Sequence, residues 1–111
     1  MSVNAPVWHS TVTKDDLLEA IGFVRTKAGL RVQGIKLEPD VLIMACTEGL
    51  SFCTANMACD IPSNGSWPSP IRVNGAMLRR LAPKLLGPDI VLHYENKRLM
   101  INAMEISASE V

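Results

Sequence analysis

The order of strand-like and helix-like segments most limits this chain, because that order comes twice. "PVWHSTVT" (6–13) is rich in β-branched residues and reads as a strand. Thr13 then stands as an N-cap, with Asp16 three residues on. The helix that follows runs to about Lys27, with Leu17, Leu18, Ile21, Val24 and Ala28 on one face, and Gly29 ends it. Three strand-like segments come next: "LRVQGIKLE" (30–38), "VLIMACT" (41–47) and "LSFCTANMAC" (50–59). Pro39-Asp40 and Glu48-Gly49 are the turns between them. "PSNGSWPSP" (62–70) is a loop dense in Pro, Ser and Gly.

The pattern then starts over. "PIRVN" (70–74) is a strand, and Asn74 caps a helix through Ala82. "DIVLHYE" (89–95), "RLMIN" (98–102) and "MEISAS" (104–109) are strands, with Asn96-Lys97 as a turn. Two helices against about eight antiparallel strands give an α+β plan, both helices on one face of the sheet. The spacing differs between the halves, so the repeat is one of structure rather than of sequence. "VLIMAC" is apolar on both faces, which implies cover on both sides or a place at an interface.

At 111 residues the chain is expected to be a single domain, 1–111, with one core. Hydrophobic residues make up 48% and mean hydropathy is positive, which argues against disorder. The five aromatics are Trp8, Phe23, Phe52, Trp67 and Tyr94, so aliphatic residues must fill most of the core. The longest apolar run, Val41–Cys46, is far too short for a span of about twenty residues, so no membrane partner is expected. "MSVNAPVWHS" has neither a basic start nor an apolar run, and no signal peptide is read there. Cys46, Cys53 and Cys59 are odd in number and fit thiols in a reducing cytoplasm. Cys46 and Cys53 are expected to be buried and inert.

The cysteine spacing lacks the close pair of a structural zinc site, so no metal or other cofactor is expected. His9 and His93 lie in strands, with no nearby acid or nucleophile, and read as structural. Asp15, Asp16 and Glu19 read as capping and solvent-facing charges rather than catalytic carboxylates. No Gly-rich phosphate loop, G-x-S-x-G or H-E-x-x-H is present, and the chain reads as a non-enzyme.

Charge is balanced overall, eleven basic against eleven acidic residues, yet "VNGAMLRRLAPKLLG" (73–87) holds Arg79, Arg80 and Lys84 and no acid. On a helical wheel Met77, Leu78, Leu81, Ala82 and Leu85 make the apolar face, with the arginines opposite. These cations either solvate an outer face or meet a polyanion. Pro83 removes a helix hydrogen bond to the carbonyl of Arg79, so the helix ends or kinks there. Trp67, between Ser66 and Pro68, either tucks into the domain edge or anchors a partner.

This plan resembles one domain of the DNA sliding clamps, the family of bacterial processivity clamps and proliferating cell nuclear antigen. "TVTKDDLLEAIGFV" is similar to the family's first strand and helix. "LIMACTEGLSF" resembles its L-x-L-x-A-T-D strand and turn, with Cys46-Thr47-Glu48 where Ala-Thr-Asp is usual. "PIRVNGAMLRRLAPKL" resembles its second strand–helix unit, and "DIVLHYENKRLMIN" its closing hairpin. The match runs from about Val7 to Ser109.

The resemblance implies a processivity factor whose helices line a ring of about six domains around duplex DNA. Arg79, Arg80, Lys84 and Lys27 would then contact phosphates without reading bases. It also implies a homo-oligomer that can close into a ring, with replication or repair proteins as partners in the cytoplasm. Two features depart from the family. Helix one shows Asp15, Asp16, Glu19 and Phe23 on its outward face, and family polypeptides carry two or three such domains. The alternative is a clamp-fold adaptor, a small oligomer that does not encircle DNA and binds protein partners through Phe23 or Trp67.

Overall fold

A computed structural model describes residues 7–28, 30–32, 35–37, 40–54 and 57–111; within 24–37 it describes backbone only. Gly29, Pro39 and the turn around them lie outside the described residues. The described residues form eleven strands and two α-helices. The first part is β1 (Trp8–Thr13), α1 (Lys14–Ala28), β2 (Leu30–Val32), β3 (Ile35–Leu37), β4 (Asp40–Ala45), β5 (Gly49–Cys53), β6 (Ala58–Pro62) and β7 (Asn64–Ser66). The second is β8 (Ile71–Asn74), α2 (Gly75–Leu81), β9 (Asp89–Glu95), β10 (Arg98–Ile101) and β11 (Met104–Glu110).

Nine strands make one sheet in the order β6-β5-β4-β8-β11-β10-β9-β1-β7, and every pairing is antiparallel. Alternation along the strands sends one row of side chains inward: Ile71 and Val73 from β8, and Ile90, Leu92 and Tyr94 from β9. Phe52, Ile43, Leu99 and Ile101 join them with no more than 1% exposure. Each such side chain contributes about 1.5–3 kcal/mol by leaving water.

Both helices close over this core, α1 through Leu17, Ala20 and Ile21, and α2 through Leu78. They also touch each other. α1 packs against β1, β5 and β6, whereas α2 packs against β8 and β11.

Three corrections concern the strands. "LRVQGIKLE" is not one sheet strand: β2 and β3 pair only with each other, Leu30 opposite Leu37 and Val32 opposite Ile35. Apolar alternation alone could not reveal the reversal of direction between them. The 62–70 segment is not all loop, because Asn64–Ser66 pairs with Thr11–His9 of β1. The turn after β4 is Thr47–Glu48, closed by reciprocal Cys46 and Gly49 hydrogen bonds of 3.0 and 3.2 Å.

The β6–β7 connection shapes the whole sheet. Only Ser63 separates these strands, yet they stand at opposite ends of the strand order. Two Cα steps span at most about 7 Å, so the sheet must curl until its two ends meet. Gly65 permits the closing contact: its φ is 150°, and a Cβ there would run into the backbone carbonyl of His9. Trp67 completes the closure. It is 7% exposed, and its indole N–H donates to the Ile43 carbonyl at 2.8 Å. Trp67 is therefore a core residue and cannot serve as an exposed partner anchor.

Both faces of β4 are covered to different degrees. Val41 and Ile43 are fully buried, whereas Leu42 and Met44 on the other face are half-buried. All three cysteines are also half-buried, so the expected full burial of Cys46 and Cys53 does not hold. Cys46 stands at a turn, and Cys53 points to the outer face of β5, where its Sγ lies 3.1 Å from Ser51 Oγ.

Candidate nucleic-acid interface

The basic segment is short because of its two ends. Asn74 has an extended backbone, and its Oδ1 accepts the Met77 N–H at 3.0 Å, which caps α2. Pro83 has no N–H to continue the ladder, so α2 stops at Leu81 and the chain tightens into a 3-10 turn, Ala82–Lys84. Arg79 and Arg80 thus fall in the last turn of α2, where unsatisfied carbonyls favour positive charge whatever lies outside. Lys84 closes the 3-10 turn.

Arg80 and Lys84 are exposed, and Arg79 is half-buried. Met77, expected on the apolar face, is 38% exposed, because the seven-residue helix packs inward mainly through Leu78. Leu85 is fully buried just after the turn, and Leu86 beside it is 78% exposed.

A fourth cation joins from the other helix. Lys14 opens α1, and its backbone N–H donates to the Pro88 carbonyl at 2.8 Å, which ties the start of α1 to the segment following the basic turn. Lys14, Leu18, Ile21 and Gly22 form one wall of a groove between the helices. Arg79, Arg80, Pro83 and Leu85 form the other, and the space between measures about 730 Å³. Sequence reasoning missed Lys14. Its signal was the stripe at positions 14, 18, 21 and 22, which a helix places on one side.

Two of the three acids of α1 face another flank. Asp16 and Glu19 lie close enough to Cys59 on β6 to act on its thiol. Burial first, then Glu19, Asp60 and Asp16, push that thiol above its ordinary value of 9.0. Helical spacing sets Asp16 roughly opposite Leu18 on α1, away from α2. Asp15 and Glu19 are exposed. The Asp16 backbone N–H is accepted by Thr13 Oγ1 at 3.1 Å, the expected cap.

Other candidate residues fall elsewhere. Phe23 is half-buried and packs against the core, so most of its ring is committed within the domain. The side chain of Lys27 lies outside the described residues. His93 does have an acidic neighbour, Glu95 at 3.5 Å, because residues two apart on β9 share a face. His9 lies opposite it on β1, ring centroids 6.3 Å apart. Among the described residues no group of three or more His, Cys, Asp or Glu is placed to hold a metal ion, and no helix is long and apolar enough to cross a membrane.

No protein-family model and no curated protein matches the sequence. Among solved structures, a DnaN sliding clamp (DNA polymerase III subunit beta) from Pseudomonas aeruginosa, bound to griselimycin, matches 96% of this chain with a TM-score of 0.69. The fold is sliding-clamp-like. Identity over that match is 17%, so the likeness concerns the course of the backbone alone. The chain spans 31% of the length of that clamp.

Proposed function

We propose that the chain is a clamp-fold module that self-associates and holds duplex DNA without reading its sequence. The observation that carries this reading is the charge segregation on a clamp-like helix layer. Lys14, Arg79, Arg80 and Lys84 gather around α2, while Asp16 lies toward the β6 flank with Cys59. Flexible basic side chains in the last turn of α2 suit phosphates, which need charge and reach rather than shape. No catalytic step is assigned to these residues.

The pairing of the strands supports a domain of two equivalent halves. β1 precedes α1 yet pairs with β9, and β8 precedes α2 yet pairs with β4. In each case the strand before a helix crosses to the other half. We take this as two strand–helix–strand units that exchange their first strands, the first of them carrying more strands after its helix than the second.

A second reading has an observation of its own. Asp15 and Glu19 are exposed on α1, where they would repel phosphate. They favour a clamp-fold adaptor that forms a small oligomer and binds protein.

Fluorescence anisotropy on a labelled duplex across a salt series separates the two. Each phosphate contact contributes a slope of about −0.9 in log K against log salt. Arg80→Ala and Lys84→Ala should each flatten the slope by about that amount, with folding intact. Absence of binding at low salt, at concentrations where light scattering shows assembly, leaves the adaptor reading. The same mass measurement tests self-association: a strict monomer at high micromolar concentration would remove the ring.

A further inference from the structure

The groove between α1 and the turn after α2 has a chemistry that phosphate binding does not use. Its floor is apolar, built by Leu18 and Ile21 on one side and Ala82, Pro83 and Leu85 on the other. Lys14 and Arg80 stand at its rim, and among the described residues no acid lines it. A DNA backbone needs the cations and gains nothing from the floor. An apolar chain carrying carboxylates uses both.

Gly22 adds an independent observation. It sits inside α1, where glycine is unfavourable relative to alanine. Among the described residues no crowding requires it, because a Cβ at this position meets none of them within 4 Å. The missing side chain leaves the groove open at its α1 wall. A second chain can therefore approach the helix backbone there, as small residues permit at close contacts.

We propose that this groove docks an acidic, apolar peptide segment of a partner protein, two or three apolar side chains on the floor and carboxylates at Lys14 and Arg80. The groove is open to solvent rather than enclosed, which suits a passing chain better than a sequestered small molecule. This site shares Lys14 and Arg80 with the DNA reading but goes beyond it: it depends on the apolar floor and Gly22, neither of which phosphate contact requires.

The test is selection from a displayed library of random peptides about 12 residues long, followed by anisotropy on labelled winners. Winners should carry at least two Asp or Glu around Leu, Ile, Phe or Met. Gly22→Leu fills the groove and should weaken them at least about tenfold. Its thermal unfolding should match or exceed the wild type, since the Cβ has open space. Should Gly22→Leu fail to fold, Lys14→Glu combined with Arg80→Glu decides, with at least about tenfold loss expected again. No enrichment, enrichment of basic or purely polar peptides, or equal affinity for the variants would overturn the proposal. Duplex titration of Gly22→Leu keeps the two readings apart: its salt slope should equal that of the wild type, and loss of peptide binding is read whether or not DNA binds.

Discussion

The indole N–H of Trp67 donates to the backbone carbonyl of Ile43 at 2.8 Å, joining residues 24 apart in sequence inside the core. This bond holds the β7 crossing segment onto β4, near the place where the two ends of the curled sheet meet. Trp8 makes the matching tie at the other side, donating to the Ser69 carbonyl at 2.9 Å. The two tryptophans thus bracket the segment that closes the sheet.

Trp67→Ala should lower stability by about 3–5 kcal/mol, and Trp67→Phe, which keeps most of the ring and loses the donor, by about 1–3 kcal/mol. Urea unfolding measures both. Equal losses for the two would mean that the ring contributes little beside the hydrogen bond.

Gly65 has no room for a side chain, because its Cβ position overlaps the His9 backbone and its φ is 150°. Gly65→Ala should cost on the order of 3 kcal/mol and loosen the β1–β7 pairing. Amide exchange should accelerate at the β1 residues whose N–H groups face β7. Unchanged stability would show that the sheet does not depend on this contact.

Cys59 should react slowly with iodoacetamide near pH 8 and faster only at higher pH, because burial first and Glu19 next hold its thiol protonated. Glu19→Gln should move the rate profile toward lower pH. A thiol whose folded value is raised binds its proton more tightly in the native state. Its contribution to stability is therefore full below the ordinary value of 9.0 and fades as pH climbs through the folded value. A Cys59 profile identical to that of a free peptide thiol contradicts this.

The acids of α1 should differ in their effect on DNA affinity. Asp15 is exposed, so Asp15→Asn should tighten duplex binding modestly at low salt. Asp16 is half-buried on the Cys59 side, and Asp16→Asn should leave the affinity unchanged. Equal tightening by both variants would place both flanks of α1 near DNA.

Much of the architecture was legible locally. Thr13 and Asn74 bond the N–H groups three residues ahead, as their positions before helical stretches implied. Asn96 and Lys97 adopt φ of 52° and 62°, the two left-handed residues that a tight hairpin demands, and their place between alternating strands marked them. Ile90, Leu92 and Tyr94 are buried in alternation along β9. The site was legible only in its charges. Arg79, Arg80 and Lys84 stood out as an acid-free run, whereas Lys14 became part of the groove only when α1 came to rest beside α2.

Caps, turns and periodicity act between residues a few positions apart, so the sequence by itself determined where most elements start, stop and turn an apolar side inward. It could not determine which strand each strand would join. β1 at Trp8 meets β9 at Tyr94, and β8 at Val73 meets both β4 at Val41 and β11 at Ala108. Any strand with one apolar face offers the same backbone groups to many partners, and closing a longer loop costs only slightly more than closing a shorter one. Tertiary packing made that choice. With it came the inward turn of Trp67, the exclusion of β2 and β3 from the main sheet, and the cation-rimmed groove between the helices.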